Sequence, residues 1–396
     1  PVSQATVSSP GAVSVARAAA VGFCALLVGV GLGRFGYPPL IPLVVEAGWA
    51  SAQVAHFAAA GNLAGYLVGA LAAAPLATRI GARATILAGL WLTVASFALA
   101  AVPLPALPFM ALRFLSGVTG GALMSVVAPI VVTLVAPARR GMAGGLSFAG
   151  VGVGFLLSGT VVPAFAAQGV GWAWASIAAI LALASLVVWR VLPMTASAAA
   201  IAAAAPAATG SAWSNLALVG LAIAYMGSAV GFVPHTVVFV DYVARVLGYG
   251  LGAGGAMWVA TGVGAVASPP VAGWLADRIG FAATLRIVLA LMAIGTLVPA
   301  LTNALWALAL SGAVAGGFMI ALASLIAGRA RELAPPSRHA AVWGVLTVLF
   351  ALMQAGAAYA TSAFVAWSGD YALMFVIAAA ISGAGLLMEM LTARRR

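Results

Sequence analysis

The chain is a succession of apolar runs, each about 20 residues long, separated by short polar or Pro/Gly turns. About twelve can be marked, over 16–42, 52–76, 84–102, 107–135, 142–166, 172–192, 213–243, 250–276, 283–300, 305–330, 340–366 and 371–392. Runs of that length match the hydrocarbon core of a bilayer. Without water there, each segment must satisfy its own backbone, and the lack of period-2 alternation selects helices over barrel strands. Only 6% of the residues are charged, against roughly 25% in a soluble protein, so a water-facing surface cannot be built. The 47 glycines suit closely packed membrane helices.

The net charge of +11 does not indicate nucleic-acid binding. Every basic side chain but the histidines is Arg, and these lie scattered at turns, not in one patch. Alternate turns hold Arg17, Arg79, Arg83, Arg139, Arg140, Arg190, Arg278, Arg286, Arg329, Arg331, Arg338 and Arg394 to Arg396. Arg245 falls on the other side, and Arg34 and Arg113 lie inside helices. The positive-inside rule then puts both termini and the middle linker in the cytoplasm. The first apolar run is too long for a signal-peptide core. The single cysteine, Cys24, excludes an internal disulfide and a Cys-based metal site, and no cofactor is expected.

The turn GWLADRIG at 273–280 has a counterpart, APLATRIG at 74–81, offset by 199 residues. At the same offset Pro137 pairs with Pro336, Arg139 with Arg338 and Gly145 with Gly344. SGVTGG at 116–121 resembles SGAVAGG at 311–317. The chain therefore reads as two parallel six-helix repeats, 1–192 and 213–396, joined by an Ala-rich cytoplasmic linker at 193–212. Parallel repeats imply a cavity at their interface.

GWLADRIG resembles the G-x-L-A-D-R-x-G loop signature of the major facilitator superfamily. The first copy is degraded, with Thr78 in place of Asp. RFLSGVTGG, from Arg113, is similar to the fourth-helix R-x-x-x-G pattern, and the Gly-rich stretch 144–159 to the fifth helix. GRFGYPPLIP at 33–42 looks like the YbfB/YjiJ-type branch, whose R-F-x-Y-x-P-x-x-P motif matches Arg34, Phe35, Tyr37, Pro39 and Pro42. The resemblance implies an all-α membrane protein of twelve helices in two six-helix bundles, working as a secondary transporter by alternating access. It also implies that the turns carrying Arg79, Arg83, Asp277 and Arg278 gate the cytoplasmic side; the alternative is that they only set topology.

Polar groups inside the membrane are the site candidates. Arg34 lies about 18 residues into helix one, where its planar fork suits a carboxylate or phosphate. The alternative is an Arg that snorkels to the interface or caps carbonyls near Pro38 and Pro42. Arg113 sits at a similar depth on helix four, with an anion-binding or a structural and coupling role open to it. Pro234 is expected to bend helix seven beside His235, a candidate for proton coupling or ligand contact. Asn62 and Tyr66 share a helix face, next to a packing stripe of Gly61, Gly65 and Gly69. Tyr37, Trp258, Trp343 and Gln354 complete the substrate-site candidates, with Tyr225 and Tyr359 as further aromatics. His56 is read as interfacial and His339 as one more positive charge in a turn. Asp241 and Arg245 are spaced for an ion pair. No carboxylate stands clearly at the midplane, which disfavours an acid-based proton relay.

GVGLG at 29–33 and GVGVG at 150–154 lie inside membrane helices with no strand before them, so neither cradles a phosphate. No nucleophile–base pair or metal set is visible, so no enzyme is expected. The sequence reading is a monomeric carrier of a small organic anion, a carboxylate before others, with H⁺ as the coupling ion if there is one. The competing reading is an exporter of amphipathic, drug-like molecules. Whether Arg34 faces the cavity or is neutralised within the protein separates the two.

Overall fold

The computed structural model describes residues 14–136, 139–193, 213–335 and 338–393. The chain is helical nearly throughout these. Helix α1 (Val15–Leu26) widens into a π-type turn over Leu27–Leu32, and α2 (Leu40–Glu46) resumes after a non-helical stretch at 33–39. Then come α3 (Ala52–Ile80), α4 (Ala82–Leu99), α5 (Ala106–Thr133), α6 (Arg140–Ala166) and α7 (Val170–Val191). The second half opens with α8 (Leu216–Val237), the single turn α9 (Phe239–Asp241) and a π-type turn at Tyr242–Val246. It continues with α10 (Gly250–Leu301), then α11 (Leu305–Ser311), which runs through Gly312–Gly317 into α12 (Met319–Leu333). The last two helices are α13 (His339–Ser368) and α14 (Tyr371–Ala393).

Eleven helical stretches among the described residues are long and apolar enough to cross a membrane. One of them, α10, has 52 residues and is two spans in one: Gly280, at φ 83°, lies outside the helical region and divides it into two limbs. The described chain is thus a twelve-span all-α membrane protein, as expected. Large apolar side chains cover its outside, among them Leu107, Trp306 and Trp367, each at least 75% exposed, which is stable against lipid and not against water. Polar caps start several helices: Ser51 Oγ accepts from Val54 N, and Asn215 Oδ1 from Ala217 N. The expected linker at 193–212 lies outside the described residues except for Pro193, as do Pro137, Pro336 and Arg394 to Arg396.

The first span corrects the sequence reading, which ran one helix through residue 42. Gly33, Gly36 and the Pro38–Pro39 pair end it earlier. Gly33 N and Phe35 N donate five residues back, to Val28 O and Val30 O, and the chain then leaves the helix. Span seven has a related interruption: Val238 takes φ −124° four residues after Pro234. The two breaks stand near the 199-residue offset.

The repeat also appears in packing. A Cβ on Gly65 would stand 2.2 Å from the carbonyl oxygen of Phe114, and a Cβ on Gly264 would stand 2.0 Å from that of Ala313. Both pairs differ by the same 199 positions, so α3 against α5 and the first limb of α10 against its neighbour use one close-approach design. Gly65 and Gly69 serve helix packing as expected, whereas the Cβ position of Gly61 looks toward Tyr359.

The halves meet unequally. One buried core runs from the first half into Phe232, Phe239, Trp258, Val365 and Phe375 of the second. A separate core has all its buried members between Ala217 and Phe350, on the Arg-rich side of the second half. Among the described residues, the core shared by the two halves takes its second-half members from segments next to the Arg-poor turns, such as Phe239, Trp258 and Phe375.

Candidate functional site

The break at 33–39 frees backbone carbonyls inside the membrane, and these need donors. Gly33 O accepts from Arg113 Nη2 at 2.9 Å and from Ser116 Oγ at 2.7 Å. Phe35 O accepts from Trp258 Nε1 at 3.0 Å and from Ser158 Oγ at 3.1 Å. Four side chains from α5, α6 and α10 thus hold an irregular segment in place. Tyr37 anchors its other end, donating from its hydroxyl to Ala55 O at 3.0 Å.

A small cavity lies beside this segment, lined by Arg34, Tyr37, Asn62, Arg113 and Thr236 among others. The free space takes little more than one water in this conformation. Arg34 is 9% exposed and Arg113 1%. The Arg34 guanidinium lies 4.8 Å from the Phe35 ring centre and 5.4 Å from that of Tyr66. That of Arg113 lies 4.5 Å from Tyr37 and 4.8 Å from Phe97. Aromatic faces stabilise both cations. They leave hydrogen-bonding capacity unused: Arg34 Nε and Nη2, and Arg113 Nε and Nη1, have no partner. No carboxylate forms an ion pair with either Arg among the described residues. Asn62 spends Nδ2 on Arg113 O at 3.0 Å and so holds α3 to α5 at this point.

Other candidates lie elsewhere. His235 is fully buried with Nε2 2.8 Å from Ser311 Oγ, its ring between Phe239 and Phe375; it does not line the cavity, while its neighbour Thr236 does. Trp258 spends its N–H on Phe35 O and Ser158 Oγ, and its ring packs on Phe155. Gln354 is buried with Nε2 unpartnered, away from the cavity lining. Trp343 and Phe350 stack with Tyr225 in a separate aromatic group.

The turn residues are not brought together. Arg79 is exposed, and Arg83 Nη2 donates to Trp189 O at 3.2 Å. Arg278 lies 4.0 Å over the Trp274 ring, and Asp277 forms no ion pair among the described residues. His339 Nε2 accepts from Arg331 Nε at 3.2 Å, and burial and the neighbouring Arg331 lower its pKa.

One cluster escaped the sequence reading in part. Asp241 pairs with Arg245 as its spacing indicated, Oδ2 accepting from Nη2 at 2.7 Å. His56 is 1% exposed, and its Nε2 lies 3.0 Å from Asp241 Oδ2, 185 residues away. No local pattern signals a contact of that range.

Twelve spans, a broken first helix and a polar cavity beside the break define a multi-pass transporter of the major facilitator fold. A family model described as uncharacterised MFS-type transporter YbfB matches residues 26–390, and the chain belongs to that family. A mutant of the peptide transporter POT shares the fold with a TM-score of 0.72, at 16% identity over 94% of this chain and 93% of that one. An auto-inhibited POT family peptide transporter gives 0.71, at 14% identity over 96% and 97%. At such identities the likeness carries the fold alone. Comparison with curated proteins finds no match.

Proposed function

We propose that the protein is a secondary active transporter of a small organic anion, a carboxylate before others, and not an enzyme. Two buried guanidiniums with unused N–H groups, no acid partner among the described residues and one cavity between them carry this reading. An unpaired buried cation is costly, and a bound anion removes that cost. Arg34 is the primary ligand, since its guanidinium packs on aromatic rings and has no acid partner among the described residues. Arg113 assists while holding the broken helix, with Tyr37 and Asn62 lining the cavity and Tyr66 packed against Arg34. An exporter of amphipathic cations would not be served by two buried positive charges.

The working unit is a monomer of two bundles, 1–192 and 213–396, rocking about this site. The Arg-rich face is cytoplasmic, as are both termini, and the membrane is a bacterial inner membrane. The turns at Arg79–Arg83 and Asp277–Arg278 are assigned to gating on that face in the outward-open state.

A thermal-shift screen of the purified protein and an Arg34→Ala variant tests the reading. A ligand at about 100 times its Kd stabilises by about 2.7 kcal/mol. Small carboxylates should raise the melting temperature of the native protein and leave the variant unmoved. Stabilisation by amphipathic cations, equal in both, would overturn it.

A further inference from the structure

The Arg-poor end, where the halves share one core, also holds the buried ionic contact between them. Asp241, on α9, has a side chain with no exposure, and that of His56, on α3, is 2% exposed. The carboxylate takes Arg245 Nε at 2.5 Å and Nη2 at 2.7 Å on one side, and His56 Nε2 at 3.0 Å on the other. An ionised carboxylate only accepts, so Nε2 carries the hydrogen and Nδ1 is the basic nitrogen of the neutral ring.

We propose that His56, with Asp241 and Arg245, is a proton-binding site that controls closure of the outer face. It rests on the alternating-access reading and on the orientation given above. Asp241 is already neutralised by Arg245, so a neutral His56 adds only a hydrogen bond between the halves. A proton taken up at Nδ1 turns that contact into an imidazolium–carboxylate bond, which is stronger. Opening the outer face separates His56 from Asp241 and gives up this added strength. Protons therefore favour closure, and closure weakens when His56 gives its proton up.

The surroundings are consistent with a site tuned by few charges. Among the described residues, the charged and titratable groups around the pair are Arg245, Tyr371 and, beside Arg245, Glu46 at the end of α2. Tyr37, which lines the cavity, donates to the carbonyl of Ala55, the residue before His56, and so connects this cluster to the cavity. His235 lacks such a setting: its polar contact is Ser311, and no carboxylate reaches it among the described residues.

Pulsed electron-spin distance measurement tests the proposal without any substrate. Spin labels go on Gln53→Cys and Asn303→Cys, both exposed at the outer ends of opposite halves, in a Cys24→Ala background in liposomes. Between about pH 5.5 and about pH 8.5 the long-distance population should grow at least about fivefold relative to the short one, the scale on which a charged bond exceeds a neutral one. His56→Gln keeps an N–H for Asp241 and cannot take the proton, so its distances should not respond to pH. Distances in the unmodified site that ignore pH would overturn the proposal, as would an undiminished response in His56→Gln. A pH-dependent distance in a protein that carries no flux would support the proton site and count against transport alone.

Discussion

Arg113 reaches across 80 residues of sequence to donate from Nη2 to the carbonyl of Gly33 at 2.9 Å. The bond joins the fourth span to the point where the first span stops being a helix. One guanidinium therefore supports the broken segment and, through Nε and Nη1, keeps hydrogen-bonding capacity beside the cavity. A Gly-Pro interruption is stable in a membrane only where other groups satisfy its backbone, and here the groups that do so surround the candidate site.

Arg113→Lys keeps the charge and loses the planar fork. A lysine donates from a single nitrogen, so it cannot hold Gly33 O and also present the planar fork of two nitrogens to a ligand. Thermal unfolding should report a loss of about 1–3 kcal/mol, and carboxylate binding should weaken about tenfold or more. Unchanged stability together with unchanged binding would remove Arg113 from both roles.

Gly65→Ala and Gly264→Ala should behave alike. Each new methyl would sit within 2.2 Å of a backbone carbonyl oxygen on a neighbouring helix. Each should cost about 1–3 kcal/mol or more, read from detergent melting curves. Gly273→Ala, which meets nothing within 4 Å, is the control and should be neutral or slightly stabilising.

Most helices and the repeat were legible because they rest on local apolar length and short motifs. So were Arg34, Tyr37, Asn62 and Arg113 as cavity candidates, since a polar side chain in a membrane helix is costly wherever it points. The R-F-x-Y-x-P-x-x-P motif was visible, yet the first span was read as unbroken, because prolines near a helix end are compatible with either outcome. Trp258 and His235 were read as ligand-facing. Their partners, Phe35 O and Ser311 Oγ, lie 223 and 76 residues away and leave no mark on local periodicity. The same holds for His56 and Asp241.

Trp258→Phe keeps a tilted ring contact with Phe155 and removes the N–H shared by Phe35 O and Ser158 Oγ. Those bonds tie the second half to the first. Their loss should favour separation of the halves, so that Asn62→Cys, in a Cys24→Ala background, reacts faster with a water-soluble maleimide, by about fivefold for roughly 1 kcal/mol. Equal labelling rates would show that Trp258 does not bias the conformation.

Glu389 is buried and accepts from Arg286 Nε at 2.7 Å and Nη2 at 3.3 Å, joining the last helix to the second limb of α10. Glu389→Gln breaks a largely buried pair that is a third exposed on its Arg side, at about 1–3 kcal/mol in thermal unfolding. The pair lies within one half and far in sequence from the cavity, so carboxylate-induced stabilisation should persist. Loss of that response would extend the site to the far end of the second half.

The most direct measurement is uptake of radiolabelled small carboxylates into liposomes carrying the native protein or Arg34→Gln. Native protein should accumulate a carboxylate, and the variant, correctly folded by its melting curve, should lose at least about tenfold of the rate. Carboxylate uptake that survives the substitution intact would contradict the role assigned to Arg34. Transport restricted to amphipathic cations would contradict the anion site altogether.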